Sequence, residues 1–408
     1  MLGIDDRLVA ADLWRDPYPL FERLRREAPV WRLPGETAFL VSTWALVTDA
    51  TRRVEDFSNH FRYTLFSNDD GTLGALETGA MGPDVFAGAD PPIHGPQRKI
   101  FFAELVQQKM AAIEPFVGEL TDELLDGLLA APRGDAAAAL AHPLPMRVVA
   151  ERVIGFHDPD VGQIERWMFD GARLVGGLLT LDQMSALSGD VAGMLSWTTE
   201  QFDLALASPG RGGVLSAAAA AVHDGRLTHD EAVFTLMVLV GAGAETTTSL
   251  IGIAIGLLAE HPVLQAELRA DPTKVPAFIE EVLRFDSPFR YHPRTAARTV
   301  ELGGVEIPEG ALVLLLWSAA NRDETVFERP DELVLDRSNV HLHFGFGRGI
   351  HHCVGAALAR LEARVVLTKL LERTASFTLD TDRPPRWADS IWIHRHEELP
   401  IVFETHDA

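Results

Sequence analysis

The chain has 408 residues, of which 36 are Lys or Arg and 59 are Asp or Glu, so its formal net charge is -23 at pH 7. Such acidity argues against a nucleic acid as the partner, because a phosphate backbone is bound by basic surfaces. Cys353 is the single cysteine, which excludes an internal disulfide, an iron–sulfur cluster and a multi-cysteine zinc site.

The first hundred residues are predicted to mix short helices with strands. Residues 1–7 contain no apolar signal-peptide segment, so we expect a soluble, cytoplasmic protein. The segment from Asp16 to Leu24 is predicted to open a helix, and residues 38–42 to form a short strand. Residues 60–90 are rich in Gly, Asn, Asp and Thr, which predicts a mobile loop of the size that often shapes an active site.

A long helix is predicted in the middle of the chain. Thr228 and Glu231 have the spacing of a capping box, so this helix should begin there and run toward Glu260. Its apolar stretch contains Glu245, which would cost about 3 kcal/mol at the centre of a bilayer, so we predict a buried core helix.

The same helix contains a run of residues with poor helix propensity beside an acid and an alcohol. We predict a locally weak turn with a functional role. Packing between helices through small residues would explain the glycines but not the glutamate. The run consists of Gly241, Ala242, Gly243, Ala244, Glu245, Thr246, Thr247 and Thr248.

The chain shows no internal repeat and no long disordered tract, so one domain over residues 1–408 is predicted. Its β-rich portions should lie at about 30–60 and 295–335, and its helical portions at about 95–290 and 354–373. Within the second β-rich portion, residues 305–316 are predicted to form a strand. Glu281 and Arg284 stand three apart on a predicted helix, a spacing that is common on solvated helices and carries little information alone.

Cys353 lies in the glycine-rich segment 346–355, which leads into a helix-periodic stretch. A helix N-terminus favours a thiolate over a thiol, and the neighbouring glycines permit close approach of whatever the sulfur binds. These are the requirements of an axial iron ligand. The alternative is a buried structural cysteine in a glycine-rich turn.

The pattern Phe-Gly-x-Gly-x-His-x-Cys-x-Gly from Phe346 to Gly355, continued by residues 356–360, resembles the haem-ligand loop of soluble bacterial cytochromes P450. The resemblance implies a mainly α fold with small β-sheets, in which a helix-rich domain joins a smaller β-containing N-terminal region. It also implies haem b with the Cys353 thiolate as axial ligand. Further haem contacts implied by the family are His94, Arg98, Arg294 and His351 at the propionates, Ala242 and Gly243 at an oxygen-binding kink, and Phe346 and Gly355 in the loop.

The resemblance also assigns roles to other positions. Thr246 would hydrogen-bond dioxygen and Glu245 would connect it to solvent protons. Glu281, Arg284 and Arg337 would form a buried structural ion network beneath the haem. The substrate, a small hydrophobic molecule, would contact the 60–90 loop and segments that include Val240, Phe289, Arg290 and Ile391.

Two hypotheses apply to Arg290, which stands where the family usually has an apolar residue. In one, Arg290 anchors a substrate carboxylate, together with Arg62 or Tyr63. In the other, Arg290 turns outward or pairs with an acidic neighbour.

The function implied by the resemblance is that of a haem-thiolate monooxygenase, which inserts one oxygen atom from O2 into its substrate. The sequence has no Gly-x-Gly-x-x-Gly reductase fingerprint, so electrons should come from a separate ferredoxin or flavodoxin and its reductase. Docking of an acidic partner on Arg348, Arg360 and Arg364 is one interpretation of these residues; ordinary surface charge is the other.

Two alternative functions are open. One is a haem-thiolate protein that does not use O2: a peroxide-driven enzyme, an isomerase or a sensor. The other is a cofactor-free cysteine hydrolase or transferase, for which His351 is a weak candidate base because residues two apart in a tight loop rarely face each other.

Overall fold

The computed structural model describes residues 15–34, 37–77, 82–208 and 212–406. The segment 1–7, on which the expectation about a signal peptide rests, lies outside these ranges. The helices in the described part are α1 (Tyr18–Glu27), α2 (Trp44–Arg52), α3 (His94–Phe102), α4 (Gln107–Ala112), α5 (Glu114–Leu128), α6 (Pro143–Arg147), α7 (Val161–Val175), α8 (Leu181–Ala207), α9 (Gly213–His223), α10 (His229–Glu260), α11 (Pro262–Ala270), α12 (Val275–Phe285), α13 (Trp317–Ala320) and α14 (Ala356–Arg373).

Short non-α turns interrupt this helical framework. Ala137–Ala141 and Val148–Ile154 are π-helical, whereas Pro272–Lys274, Val340–Leu342 and Gly349–His351 are 3-10 turns. The strands are β1 (Val30–Arg32), β2 (Ala38–Val41), β3 (Phe57–Ser58), β4 (Tyr63–Ser67), β5 (Leu73–Glu77), β6 (Arg133–Asp135), β7 (His292–Ala296), β8 (Val300–Leu302), β9 (Val305–Ile307), β10 (Leu312–Leu315), β11 (Ser376–Leu379), β12 (Arg386–Trp387), β13 (His396–Glu398) and β14 (Pro400–Glu404).

Helix α10 is the central element of the helical region. Its capping box is confirmed: the Thr228 hydroxyl accepts from the backbone N–H of Glu231, and the Glu231 carboxylate accepts from the N–H of Thr228. Most of its C-terminal half is buried, and α10 packs against α6, α8 and α14. The predicted core helix is therefore present, and of the site residues that it carries Glu245 is buried.

The strands form five small sheets in the described part of the chain. The largest has the order β1-β2-β10-β7-β3 and joins the N-terminal region to the segment after α12. Its β10 pairs in parallel with β2 and antiparallel with β7. The second sheet has the order β11-β14-β6, and three hairpins pair β4 with β5, β8 with β9 and β12 with β13.

Two expectations about local structure are wrong. The predicted mobile loop at 60–90 contains the antiparallel hairpin β4–β5, in which Tyr63 pairs with Glu77 and Leu65 with Ala75. Leu65 and Leu73 are buried, so packing of an apolar face outweighs the loop-like composition of this segment. The predicted strand at 305–316 is broken into β9 and β10 by a turn at Gly310, whose φ of 80° is in the left-handed region.

Among the described residues, α10 is the one helix that is long and apolar enough to cross a membrane. In its most apolar window, 67% of the residues are buried inside the protein. This burial is what a core helix requires, because the apolar surface is already covered by protein.

Candidate active site

The segment that carries Cys353 is clamped by α12 and α14. The Glu280 carboxylate accepts from the Arg360 guanidinium at 2.6 and 2.9 Å, and His343 lies 3.1 Å from the same carboxylate. These contacts lower the pKa of Glu280 to about 2, against the opposing effect of burial, so it is ionised at neutral pH. Gly345 packs directly on α12, where an added Cβ would lie 3.1 Å from the Leu283 carbonyl oxygen.

A buried ion network holds the preceding segment against α12. Glu281 accepts from Arg284 Nη2 at 2.7 Å and from Arg337 Nε at 3.1 Å, and the Glu281 and Arg284 side chains are fully buried. The remaining guanidinium donors bond to backbone carbonyls, such as that of Pro330 at 2.7 Å from Arg284. The three side chains that the resemblance grouped therefore lie together, with the satisfied hydrogen bonds that a buried charge requires.

Opposing effects act on the pKa of the Cys353 thiol, and the residue is half-buried. The largest effect raises its pKa through desolvation, whereas hydrogen bonds from the Gly355 and Ala356 N–H groups and the charges of Arg98 and Arg360 lower it. The backbone donors thus act in the direction that the helix N-terminus predicts, although desolvation outweighs them in the chain by itself. Coordination to a cationic metal would reverse this balance, since a bound metal deprotonates a ligating thiol.

Four side chains with nitrogen donors converge near this loop: His94, Arg98, Arg294 and His351. The His94 and His351 rings lie 4.3 Å apart, and the Nε2 atom of each is buried without a hydrogen-bond partner among the described residues. Burial lowers the pKa of Arg294 to about 10, and burial followed by the charge of Arg294 lowers that of His351 to about 3. Such a concentration of donors is unfavourable unless an anion binds there.

Neighbouring residues determine which ring nitrogen of His351 carries the proton. The Asn59 side-chain amide donates to the Ala87 carbonyl and lies 3.4 Å from His351 Nδ1. Since an amide nitrogen donates, His351 Nδ1 accepts, and the proton of the neutral ring is on the unpaired Nε2. His351 is therefore a donor toward an anion. Within the described ranges, the ring of His351 makes no hydrogen bond to Cys353, which counts against a role of His351 as its base.

Sequence reasoning placed His292 at the end of a predicted pocket segment, 288–292, and did not assign it to this donor cluster. Its Nδ1 lies 2.5 Å from Arg294 Nη1, and burial, helped by the charge of His351, lowers its pKa. Its spacing of two from Arg294 on β7 was the available signal, because alternate residues of a strand face the same side. Together these nitrogens fit a ligand with two carboxylates, and the sulfur fits a metal. The residues present therefore fit an iron porphyrin, whose propionates His94, Arg98, Arg294 and His351 would hold.

Helix α10 runs unbroken past this region. Thr246 donates to the Ala242 carbonyl at 2.7 Å and Thr247 to that of Gly243 at 2.9 Å, so both hydroxyls bond back to the preceding turn. Ala242 is exposed, although Ala244 and Glu245 are buried. The predicted weak turn is present only as these extra hydrogen bonds.

The glycines of this run have a packing role that the resemblance did not assign. An added Cβ at Gly243 would lie 3.2 Å from Val149, and one at Gly241 would lie 3.1 Å from Met168. The missing side chains therefore allow α10 to approach α7 and the π-helical turn. Packing between helices, the alternative weighed from sequence, accounts for both glycines.

Glu245 has a partner that the sequence did not indicate. Its carboxylate lies 3.5 Å from Arg395 Nε, and both side chains are buried. The Arg395 guanidinium stacks at 3.8 Å over Phe169 of α7. Burial raises the pKa of Glu245 to about 7, while Arg395 opposes the shift. A carboxyl group with this pKa exchanges protons near neutral pH, as a proton relay requires.

The raised pKa predicts how Glu245 affects stability. Its folded pKa lies above the unfolded value of 4.5, so its neutral form stabilises the fold below pH 4.5, and this contribution is lost as the pH rises through about 7. Glu245→Gln should therefore gain stability relative to wild type by up to about 3 kcal/mol across that window. Thermal unfolding of both proteins from pH 4 to 8 checks this. A stability difference that does not vary with pH would contradict it.

A cavity of about 730 Å³ lies between the β4–β5 hairpin, the N-terminal half of α10 and the strand β7. Its wall is mostly apolar and includes Leu65, Phe234, Val238, Leu314 and Trp392. The 60–90 segment contributes to this wall, as was predicted for the substrate pocket. The wall suits a hydrophobic organic molecule.

The four individual residues predicted for the pocket do not line this cavity. Val240 and Ile391 are fully buried in the core, Phe289 packs against Trp392 with ring centroids 5.0 Å apart, and their neighbours form the wall instead. Arg290 is 2% exposed and lies 2.6 Å from His394 Nδ1. The charge of Asp286 raises its pKa against the larger, lowering effect of burial. Arg290 is therefore not part of this cavity wall, and it has an acidic neighbour in Asp286, as the second hypothesis states.

Comparison with known proteins identifies the family. A family model described as "Cytochrome P450" matches residues 214–391. Cytochrome P450 144 of Mycobacterium tuberculosis is 38% identical over 97% of this chain and 90% of its own length. The 6-deoxyerythronolide B hydroxylase of Saccharopolyspora erythraea is 32% identical over 95% of this chain and 96% of its own length.

Solved structures agree with the sequence relatives. The structure of the cytochrome P450 CREJ in complex with (4-ethylphenyl) dihydrogen phosphate superposes with a TM-score of 0.88 at 26% identity, covering 96% of this chain and 98% of that one. The mainly helical fold with small sheets and the sequence similarity over nearly the whole chain lead to the same conclusion: this chain belongs to the cytochrome P450 family.

Proposed function

We propose that this protein is a haem-thiolate monooxygenase that inserts one oxygen atom from O2 into a small hydrophobic molecule. The observation that carries the proposal is that one chain combines Cys353, a cluster of buried nitrogen donors near its loop and, on α10, the acid–alcohol pair Glu245 and Thr246. Haem b, when bound through Cys353, supplies the activation of dioxygen with two external electrons. The 408 residues form a single catalytic domain in this proposal.

The residues of the chain have distinct tasks in this reaction. Cys353 Sγ ligates the metal, and His94, Arg98, Arg294 and His351 orient the porphyrin through its carboxylates. Glu245 would hold a proton at its carboxyl group, and the Thr246 hydroxyl would be the neighbouring group that hydrogen-bonds the oxygen supplied to the site. Arg395 keeps the carboxylate of Glu245 in place between transfers. The apolar cavity excludes water from the substrate.

A haem-thiolate protein that does not use O2 would need no buried acid beside Thr246. The pKa of about 7 for Glu245 therefore favours the oxygen-dependent reaction over the alternative. A cysteine hydrolase is disfavoured because burial raises the thiol pKa of Cys353.

The redox partner is proposed to be a ferredoxin or flavodoxin with its own reductase, in the cytoplasm. Two of the arginines considered for docking are neutralised: Arg360 by Glu280, and Arg364 by Glu114 at 2.8 Å. Arg348 and Arg52 lie near each other, and both line a cleft beside the Cys353 loop. Together they make the electrostatic potential of this cleft more positive. This cleft suits an acidic surface.

Thr246→Ala tests the role of O2. With the hydroxyl removed, electrons should still be consumed, but the product formed per electron pair should fall roughly tenfold or more. Thr247→Ala is the matched control, since Thr247 bonds to the helix in the same way but is buried away from Ala242. Product, peroxide and reductant are measured together. Equal coupling in wild type and Thr246→Ala would favour the alternative that does not use O2.

A further inference from the structure

The polar side chains in the cavity wall differ in whether the protein itself satisfies them. The charged ones are paired: Arg62 with Glu77 at 2.6 Å, and His60 with Asp84 at 3.1 Å. Ser58 donates to Asp90, and Thr295 donates to the His60 carbonyl at 3.2 Å. A charged ligand in this cavity would therefore meet a wall whose charged side chains already have counter-ions.

Two wall hydroxyls have no such partner in the described part of the chain, those of Thr64 and Tyr291. Tyr291 is one of three tyrosines in the sequence. The Tyr18 hydroxyl bonds to Asp286 at 2.9 Å and that of Tyr63 to the Gly310 carbonyl at 2.5 Å. The Tyr291 hydroxyl makes no hydrogen bond to a described residue and is not among the polar atoms sealed inside the protein.

The position of Tyr291 is rigid. The residue is 3% exposed and packs in the cluster of Leu65, Leu312 and Leu314. Its carbonyl accepts from the Trp392 indole at 3.1 Å, which ties it to the C-terminal segment. Burial raises the pKa of Tyr291, so the phenol stays neutral and its O–H group is available as a hydrogen-bond donor. Since Tyr291 lines the cavity, its small accessible surface belongs to the phenol edge that opens there.

From this arrangement we infer that the cavity binds a neutral, largely hydrocarbon molecule that carries one oxygen acceptor, such as a ketone, ester or ether, and that the Tyr291 hydroxyl donates to that oxygen. This inference rests on the proposed function and names its substrate class. Tyr291 precedes β7, whose Arg294 belongs to the donor cluster near Cys353, so an oxygen held by Tyr291 fixes the molecule relative to the reaction centre.

The physical reason is the cost of an unpaired buried hydroxyl. An acceptor in the ligand satisfies it, whereas a hydrocarbon of the same shape leaves it unpaired, which lowers affinity roughly threefold to tenfold. A carboxylate loses its hydration on entry and finds no unpaired cation in the described wall, so it binds more weakly than the ketone.

The test uses holoprotein whose ferrous carbon monoxide spectrum shows thiolate ligation, so that its outcome is separate from that of the proposed function. Cyclododecanone, cyclododecane and cyclododecanecarboxylate are titrated, with Kd read both by calorimetry and by the Soret shift. Wild type should bind the ketone roughly tenfold more tightly than either other compound. Tyr291→Phe should abolish the preference for ketone over hydrocarbon.

Tyr63→Phe is the matched control, because it removes a hydroxyl from the same wall that is already bonded to Gly310. This variant should keep the ketone preference of wild type. Equal affinity of wild type for ketone and hydrocarbon would overturn the inference, as would tightest binding of the carboxylate. An undiminished ketone preference in Tyr291→Phe would do the same.

Discussion

Cys353→Ser is expected to abolish measurable oxygenation while the protein still binds haem. The thiolate donates electron density that favours cleavage of the O–O bond, and a serine hydroxyl does not. The porphyrin should be retained because the propionate-binding donors His94, Arg98, Arg294 and His351 are untouched. The measurement is the ferrous carbon monoxide spectrum, which should lose the long-wavelength Soret band of a thiolate-ligated haem, together with product formation under turnover.

His352→Ala is the control for this prediction. His352 is adjacent to Cys353 and is exposed, and an imidazole is a possible competing ligand. Partial burial of its ring lowers the ring pKa, and the positive charges of Arg360 and Arg98 lower it further. The neutral form therefore dominates at pH 7. If the sulfur is the ligand, this variant should keep the thiolate spectrum. Loss of that spectrum in His352→Ala, or its persistence in Cys353→Ser, would contradict the assignment.

Glu281→Gln is expected to have the largest effect on stability. Both Arg284 and Arg337 would be left as buried cations without a carboxylate, since each bonds to Glu281 and otherwise only to neutral carbonyls. Removal of one member of a buried ion pair costs about 3 to 5 kcal/mol. Because the network holds the segment that precedes the Cys353 loop, haem content should fall as well. Thermal unfolding and the ratio of haem to protein measure the two effects.

An exposed ion pair provides the comparison. Glu332→Gln removes a carboxylate 2.9 Å from Arg329, where both side chains are more than half exposed. Such a pair contributes less than about 1 kcal/mol, so this variant should have nearly wild-type stability and haem content. Similar losses of stability and haem content in both variants would show that burial of the network does not govern its contribution to stability.

Local patterns of the sequence determined the features that depend on residues close together in the chain. The capping box of Thr228 and Glu231 predicted the start of α10 correctly, because both hydrogen bonds form within one helical turn. The spacing from Phe346 to Gly355 identified the family, since the turns of that loop require glycine at set positions, as the φ of 62° at Gly347 shows.

The tertiary structure alone decided which distant side chains meet. Arg395 follows Glu245 by 150 residues and pairs with it because the segment before β13 passes α10 and α7. The composition of 60–90 indicated a loop, but apolar packing made it a hairpin. Likewise, the sequence alone does not distinguish the three tyrosines. Only the fold places Asp286 beside Tyr18 and the Gly310 carbonyl beside Tyr63, and gives the Tyr291 hydroxyl no partner among the described residues. Burial and long-range partners set pKa values and free donors, and neither follows from spacing along the chain.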